Sequence, residues 1–300
     1  MGENNPKPHA SKVWTTLITN TAYLSGLLTL EYSLRRVGSK YPLVVLYTDS
    51  FPAEGHKALD SRNILKRHVP YLLPSVPKDY TNDVRFYDCW SKLTPFSLVE
   101  YDRVVQLDSD MLVLQNMDEL MDIDLDPPEM AGNGNRVFAA SHACTCNPLH
   151  KPHYPTDCMQ HDNPDVAQAT GASPIAGLGI PNGGLQVVSP AQAIYDKILG
   201  QLATSTTSSY DFADQSLLGD LFYGRWVALP YIYNALKTLR WEGVHDAIWR
   251  DENVKNVHYI LSPKPWDESG PSKDPSHAWW TSLNEKRLGE EQETGVRDQF

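Results

Sequence analysis

Cysteine is scarce in this sequence, with four residues in a chain of 300, and this excludes a disulfide scaffold. Long apolar runs are missing as well. The best one, residues 42–47, is far shorter than a membrane span and is typical of a buried strand. The first 12 residues are polar and lack the hydrophobic core of a signal peptide. We therefore expect a cytoplasmic protein without a membrane partner.

Basic residues are the minority among the charged ones. The 26 Lys and Arg residues face 37 Asp and Glu residues, which gives a formal net charge of −11. This balance argues against a protein that coats nucleic acid or an anionic membrane, so no nucleic-acid partner is expected. It also implies that a phosphorylated substrate would need a cation between its phosphates and the acidic chain.

The composition, 41% hydrophobic and 21% charged, is that of a globular protein. Apolar, β-branched runs alternate with segments of helical spacing, which predicts βαβ units and an α/β fold with a largely parallel sheet. Ligands of such sheets bind at the carboxyl ends of the strands. Strands are predicted at 13–19, 43–47, 103–107, 185–188, 226–229 and 254–260. Helices are predicted over 23–34, in a stretch ending near 67, around 90–99, from an N-cap at Ser189 through 202, and over 211–222.

Residues 131–184 differ from the rest of the chain, because Gly, Pro, Asn and His crowd in and the periodicity fades. We interpret residues of about 139–180 as an insertion or lid loop within one domain that spans 1–268. The end of the chain, 269–300, is polar, and we expect a peripheral or poorly ordered tail there.

Two carboxylates directly follow the predicted strand 103–107. Asp108 and Asp110 flank Ser109, and because the chain leaves the pleat at a strand end, both side chains can converge on one point. Hard oxygen ligands suit Mg²⁺ or Mn²⁺, which share their coordination shell with substrate phosphates. The alternative for an isolated Asp-x-Asp is an acidic pair in a turn or helix cap.

A histidine closes the last predicted strand, and a lysine lies six residues further on. His258 can complete a metal shell. Lys264, held between two prolines, presents a point charge suited to a phosphate. The alternative is a core histidine together with a solvated lysine.

Two further segments combine polar side chains with special spacing. Asp211 and Asp214 are three residues apart, which predicts two carboxylates on one face of a helix's first turn, beside Gln215. The alternative is that these acids only complement the helix dipole. Asn182 precedes two glycines that allow the backbone to approach a ligand; the alternative is a turn before the next strand.

In this order, the motifs resemble glycosyltransferase family 8, and its glycogenin branch in particular, over roughly residues 13–266. The resemblance implies a single Rossmann-like domain of the GT-A type with a mixed, mostly parallel central sheet. It also implies a retaining, Mn²⁺-dependent transfer of a hexose, glucose or galactose, from a UDP-sugar, with Mg²⁺ as the other candidate ion. The acceptor would be a polyol, a glycan or a protein hydroxyl. Glycogenin-like proteins tend to dimerise, which adds a homodimer as a candidate assembly.

The resemblance also implies roles for individual residues. The implied metal ligands are Asp108, Asp110 and His258. The residues implied in donor binding are Leu17, Thr19, Asn20, Tyr23, Arg85, Lys92, Ser109, Asn182, Gly184, Leu261 and Lys264, and those implied in catalysis are Asp211, Asp214, Gln215, Lys92 and Lys264. We favour front-face attack, with the departing phosphate taking the acceptor's proton, over Asp214 as a covalent nucleophile.

The sequence departs from the family pattern at two places. The position of glycogenin's self-glucosylated tyrosine falls on Trp241, which has no hydroxyl, so a separate acceptor is expected. The loop of about 139–179 is longer than in glycogenin. Plant galactinol synthases of the same family also have a longer loop and act on a free polyol, but the spacing of their final motif differs, so their acceptor is not carried over.

Seven cysteine and histidine residues lie in this long region. A zinc site is one interpretation, because both residue types are zinc ligands, but the Cys-x-Cys spacing is not one of the strong zinc signatures. We favour a lid or acceptor-binding loop without zinc. The residues are His142, Cys144, Cys146, His150, His153, Cys158 and His161.

Two other functional hypotheses remain open. One is a catalytically silent UDP-sugar or glycan-binding protein of the same fold, against which the full set of expected metal and phosphate residues argues. The other is an unrelated metal-dependent hydrolase using the same carboxylates. Metal-dependent thermal protection by UDP separates the hydrolase from the transferase.

Overall fold

The computed structural model describes residues 10–76, 78–81, 84–144, 146–151, 163–268, 270 and 272–300. The strands are β1 (Lys12–Ile18), β2 (Leu43–Tyr47), β3 (Leu65–His68), β4 (Arg103–Leu107), β5 (Met111–Val113), β6 (Phe138–His142), β7 (Pro181–Val188), β8 (Val227–Ala228), β9 (Ala235–Leu236) and β10 (Asn256–His258). The α-helices are α1 (Leu24–Arg36), α2 (Ala53–Asp60), α3 (Phe86–Cys89), α4 (Val166–Ala169), α5 (Gln192–Leu202), α6 (Ala213–Leu221) and α7 (His277–Glu293). Short 3-10 segments are Thr21–Tyr23, Trp90–Ser97, Asp118–Asp122, Pro128–Met130, Ser205–Ser209, Tyr231–Tyr233, Lys237–Arg240, Asp251–Asn253 and Pro265–Asp267.

Seven strands form the central sheet, in the order β3-β2-β1-β4-β7-β6-β8. The first four are mutually parallel, β7 runs antiparallel to both β4 and β6, and β8 is parallel to β6. Strands β1, β2 and β4 are almost continuously buried, as expected where helices and loops cover both faces of a parallel sheet. The predicted α/β architecture with a mixed, mostly parallel sheet is confirmed.

The chain reverses its direction of winding next to β1, because β2 lies on one side of it and β4 on the other. The carboxyl ends of β1 and β4 therefore lie side by side at a topological switch point, the usual place for a ligand in such sheets. The antiparallel β7 brings its amino-terminal end to the same edge, where the backbone N–H of Asp108 donates to the carbonyl of Gly184 at 2.8 Å.

A second sheet of three short strands, in the order β5-β10-β9, lies beside this edge. His258 of β10 is paired with Met111 of β5, and the backbone N–H of Tyr259 donates to the carbonyl of Asp110 at 2.9 Å. This pairing places the end of β10 next to the segment that follows β4.

Several predicted elements differ in their bounds or type. Helix α5 begins at Gln192 after an extended Ala191, so the predicted N-cap at Ser189 is wrong. Residues 205–209 form a 3-10 helix between α5 and α6. Strands β3, β5, β6 and β9 were not predicted; they are short, and β6 lies at the start of the expected insertion, whose residues 152–162 lie outside the described residues.

Helix α7 occupies part of the segment for which a peripheral or poorly ordered tail was expected. Its Trp280 and Arg287 side chains are 4% and 1% exposed, and Asn284 accepts a hydrogen bond from Thr29 of α1 at 2.9 Å. The helix is held by ion pairs and a few aromatic side chains rather than by an apolar stripe, which explains why its periodicity did not reveal it. The domain boundary at residue 268 remains a prediction.

Within the described part of the chain, none of the helices combines the length and the apolar character needed to cross a bilayer.

Candidate active site

Two carboxylates and an imidazole meet where the two sheets adjoin. Their ligand atoms all lie within 4.8 Å of one another. The Nε2 atom of His258 is 3.2 Å from Oδ1 of Asp110 and 3.6 Å from Oδ2 of Asp108. Two hard oxygen donors and one nitrogen donor fit a divalent cation such as Mn²⁺ or Mg²⁺. The sequence-predicted ligands are therefore brought together around one point.

A chain of hydrogen bonds orients the imidazole. The Nδ1 atom of His258 is 2.9 Å from Oδ1 of Asn234, and Nδ2 of Asn234 donates to Oδ1 of Asn182 at 2.9 Å. That same oxygen also accepts from the backbone N–H of Gly184 at 2.9 Å. Because the asparagine oxygen is an acceptor, Nδ1 carries a proton, and Nε2, which faces the carboxylates, is the nitrogen available to a metal ion.

The two glycines of β7 leave space that side chains of the site fill. A Cβ on Gly184 would lie 2.3 Å from Cε1 of His258, and a Cβ on Gly183 would lie 2.3 Å from Oδ2 of Asp214. Both contacts are far inside van der Waals distance, so any larger residue would have to displace these side chains. The predicted approach of this backbone to a ligand stays a prediction.

Each carboxylate of the cluster is paired with a lysine. Lys92 Nζ is 2.7 Å from Oδ2 of Asp108, and the buried Lys264 donates to Oδ2 of Asp110 at 2.5 Å and to the carbonyl of Tyr259 at 2.7 Å. Burial alone raises the pKa of Asp110, but the charges of Lys264 and His258 outweigh it and hold that pKa well below its usual range. Two ammonium groups thus lie within the site.

A cavity of about 260 Å³ opens beside the carboxylates, at the carboxyl ends of β1 and β4. Asn20 caps the 3-10 segment Thr21–Tyr23 by accepting from the N–H of Ala22 at 2.9 Å, and Ser109 donates to the carbonyl of Leu17 at 3.0 Å. The sequence-predicted residues that line this cavity are Leu17, Thr19, Asn20, Tyr23, Arg85, Lys92, Asp108, Ser109 and Asp110.

A second cavity, of about 110 Å³, also borders Asp108. It shares Arg85, Cys89, Lys92 and Asp108 with the first, so the two cavities are contiguous at these side chains. The sequence-predicted residues that line only the second cavity are Asn182, Gly184, Asp214, Gln215, His258 and Leu261.

Asp214 is the most unusual acid of the second cavity. Its side chain is 1% exposed, and its Oδ2 atom has no hydrogen-bond partner in the described structure. Burial raises the pKa of Asp214 to about 7, although the nearby charge of Lys92 opposes the increase. Neighbouring Gln215 is fixed, because its Oε1 accepts from the backbone N–H of Gly183 at 2.7 Å.

Asp211 lines neither cavity. It is exposed and paired with Lys78 at 2.5 Å. The prediction that Asp211 and Asp214 share the first turn of a helix is wrong, because α6 begins only at Ala213, whose φ is +42°. Sequence reasoning also missed Asn234, which orients the imidazole of His258. The available signal was the asparagine that ends the segment 229–234, Leu-Pro-Tyr-Ile-Tyr-Asn.

Comparisons with known proteins agree with this arrangement. The model of a family described as "Glycosyl transferase family 8" matches residues 15–270. The chain is 27% identical over 296 residues to galactinol synthase 2 of Solanum lycopersicum, which covers 94% of this chain and 82% of that protein. It is 28% identical over 291 residues to galactinol synthase 4 of Arabidopsis thaliana, with 91% and 81% covered.

Solved structures share the fold. The glycosyltransferase GlyE of Streptococcus pneumoniae superposes with a TM-score of 0.59 at 18% identity, over 96% of this chain and 65% of that one, slightly under two thirds of its length. The galactosyltransferase LgtC, solved with donor and acceptor sugar analogs, gives a TM-score of 0.59 at 16% identity, over 91% and 96% of the two chains. The predicted GT-A-type fold and the resemblance to family 8 are confirmed.

Proposed function

The chain belongs to glycosyltransferase family 8, and on this premise we propose that it moves a hexose from a UDP-sugar to a separate hydroxyl acceptor with retention of configuration. The observation that carries the proposal is the meeting of Asp108, Asp110 and His258 beside a cavity of about 260 Å³. Without that meeting, the family likeness would fit a catalytically silent binding protein equally well.

Asp108, Asp110 and His258 would hold Mn²⁺, with Mg²⁺ as the alternative. When bound, such an ion supplies charge neutralisation to a diphosphate. This assignment answers the problem posed by the net charge of −11, because carboxylates and phosphates need a cation between them. We propose the cytoplasm as the compartment of this reaction.

The larger cavity would take the nucleotide. In this proposal Leu17, Thr19, Asn20 and Tyr23 surround the nucleoside, and Ser109 lies beside the ribose. These roles are supported by position, because all five residues line one cavity at the carboxyl ends of β1 and β4. Arg85 and Lys92 line both cavities and would contact the phosphates and the transferred sugar.

Lysine side chains would stabilise the leaving group. As the bond between the anomeric carbon and the diphosphate oxygen breaks, the electron pair stays with UDP, and the negative charge there grows. Lys264 and Lys92 are held in place by Asp110 and Asp108 before any substrate binds. Cations fixed in advance stabilise developing charge without a reorganisation cost, and removing one such group typically costs about 10²–10³ in kcat.

The second cavity would hold the hexose and the attacking hydroxyl. We propose that the acceptor oxygen attacks the face from which UDP departs, and that its proton passes to the departing phosphate oxygen. Asp214, Gln215 and Asn182 would orient the sugar and stabilise the positive charge at its anomeric carbon. Asp214 as a covalent nucleophile is the second mechanism, supported by the orphaned Oδ2 atom. A role for Asp211 has no support from its exposed position.

The matched relatives named galactinol synthases favour galactose as the hexose and a small polyol as the acceptor. A protein tyrosine at the glycogenin position is disfavoured, because Trp241 stands there and its indole N–H is bonded to Asp274 at 2.9 Å. UDP-glucose as the donor and glycans as acceptors remain the comparison substrates.

The test is UDP release from UDP-galactose and UDP-glucose, with and without Mn²⁺ and a panel of polyols. Asp110→Asn should lower turnover by about 10³-fold or more, because it removes a ligand and the partner of Lys264. Exposed Asp102→Asn is the matched control and should leave turnover unchanged.

Two outcomes would favour the other functional hypotheses. If UDP stabilises the fold but no turnover is detected, the silent binding protein is favoured. Hydrolysis without UDP protection would favour the unrelated hydrolase.

A further inference from the structure

A second group of metal-ligand side chains lies outside the carboxylate cluster. Cys144 and Cys146 follow β6, and His245 follows the 3-10 segment Lys237–Arg240. Their ligand atoms all lie within 4.8 Å of one another, and all three residues are half-buried. The Sγ atom of Cys146 is 2.9 Å from Nε2 of His245, although the two residues are 99 positions apart in sequence. The fold, and not local sequence, brings them together.

We propose that Cys144, Cys146 and His245 bind a Zn²⁺ ion. Two thiolates and an imidazole are a characteristic zinc donor set. With Zn–S near 2.3 Å and Zn–N near 2.0–2.1 Å, tetrahedral coordination requires about 3.6 Å between sulfur and nitrogen. The Cys146–His245 pair would therefore open by less than an ångström, a shift within reach of side-chain rotation. A tetrahedral ion takes a fourth ligand, which is water or one further donor.

This site is chemically distinct from the one formed by Asp108, Asp110 and His258. The carboxylate cluster offers hard oxygens, which suit Mn²⁺ and Mg²⁺, whereas soft thiolates select zinc. The two clusters share no residue. From the sequence, zinc was disfavoured because the Cys-x-Cys spacing is not one of the strong zinc signatures; it becomes the favoured interpretation because His245, from outside the loop, lies within ligand distance of Cys144 and Cys146. His153, Cys158 and His161 lie outside the described residues.

The position of the cluster indicates what the ion would do. Cys144 lines the second cavity, together with Asp214 and His258. It also packs, like Trp249, against the core cluster that includes Ile248. An ion on Cys144, Cys146 and His245 would fasten the segment after β6 to this core and fix one wall of the second cavity. Structural metal sites contribute directly to folding stability.

The experiment measures zinc in the purified protein after passage over a chelating resin. The wild-type chain should hold about one zinc per chain, and Cys146→Ser and His245→Gln should each lower the zinc content about tenfold or more. Two controls should retain it: Cys89→Ser, which removes a thiol elsewhere, and Asp110→Asn, which removes a ligand of the other cluster. Circular dichroism establishes that each variant is folded.

A second measurement avoids variants altogether. Titrating wild-type protein with a mercurial thiol reagent should release zinc in step with thiol modification, and replacing zinc by Co²⁺ should give a thiolate-to-cobalt charge-transfer band. The proposal is overturned if wild-type protein grown with zinc holds no stoichiometric ion. It is equally overturned if zinc persists in folded Cys146→Ser, or disappears in Asp110→Asn. None of these readouts depends on transferase activity, so the proposal stands or fails separately from the proposed function.

Discussion

The Oδ1 atom of Asn234 lies 2.9 Å from Nδ1 of His258. This contact turns Nε2 of the imidazole toward Asp108 and Asp110. Both residues are buried, at 2% and 4% exposure, and Asn234 is itself held by Asn182. The imidazole therefore has one orientation before any ligand arrives. In metal sites, groups that orient a ligand from behind matter almost as much as the ligands.

Replacing Asn234 should weaken metal binding without removing a ligand. Asn234→Ala should raise the Mn²⁺ concentration needed for half-maximal UDP release by about 10–100-fold, and saturating Mn²⁺ should restore most of the rate. Exposed Asn133→Ala serves as the control. An unchanged Mn²⁺ requirement in a folded Asn234→Ala would show that His258 does not need this support.

Gly184→Ala should impair the site through crowding. The added methyl would lie 2.3 Å from Cε1 of His258, so the imidazole must move, and such overpacking costs about 1–3 kcal/mol. We expect UDP release to fall about 100-fold, in line with the loss for a misplaced catalytic group. Gly200→Ala in α5 meets no atom within 4 Å and should raise stability by about 1 kcal/mol. Urea unfolding measures the stability of both variants, and UDP release measures their turnover. Equal stability and equal turnover of the two variants would contradict the prediction.

Asp214 should make stability depend on pH in metal-free protein. Its folded-state pKa of about 7 lies above the unfolded value of about 3.9, so the folded state binds the proton more tightly. The resulting stabilisation is complete below about pH 4 and is lost as the pH rises through 7. We therefore expect the difference in melting temperature, Asp214→Asn minus wild type, to be larger at pH 8 than at pH 5 when both are measured in EDTA. A difference that does not vary with pH would contradict the assigned pKa.

The same variant separates the two mechanisms. If Asp214 only orients the hexose, Asp214→Asn should retain activity reduced by about 10²–10³-fold. If Asp214 is the covalent nucleophile, the variant should lose double-displacement turnover entirely. Adding azide to Asp214→Ala and identifying the anomer of any glycosyl azide distinguishes the cases. A product whose anomeric configuration is inverted relative to the UDP-sugar would favour the nucleophile, because azide would then enter from the face opposite UDP.

Helix α7 should be part of the folding unit. Arg287 is 1% exposed and paired with Glu291 at 2.8 Å. Arg287→Ala leaves a buried void and removes this pairing, although Glu291 keeps Arg62, and it should cost about 3 kcal/mol. Exposed Lys286→Ala, the neighbouring residue in the helix, should cost less than about 0.5 kcal/mol. Urea unfolding measures both. Equal small effects would mean that the helix is peripheral, as the sequence suggested.

Strong local patterns made part of this molecule predictable. Strands β2 and β4 have the predicted bounds, because each is a short β-branched run with clear limits. The meeting of the three metal ligands was predicted from motif order and family resemblance, and the roles of the remaining site residues stay predictions. The short strands β5 and β9 could not be predicted, because three or two residues carry no periodicity.

Other features depend on distant parts of the chain. Asn234 acquires its position only when β10 pairs with β5 and β9, and His245 approaches Cys146 only in the folded chain. Helix α7 is stabilised by partners such as Arg62, which binds Glu291 from more than two hundred residues away. Single-sequence reasoning has no access to such contacts.

The lysine partners of the two aspartates have a practical consequence for handling the protein. Asp108 and Asp110 contribute two negative charges, and Lys92 and Lys264 contribute two positive ones. The charges of these four side chains therefore cancel, and the two carboxylates are not left to repel each other when no metal ion is bound. Preparations made in chelator should keep their shape there and accept manganese afterwards, which makes clean reconstitution titrations feasible.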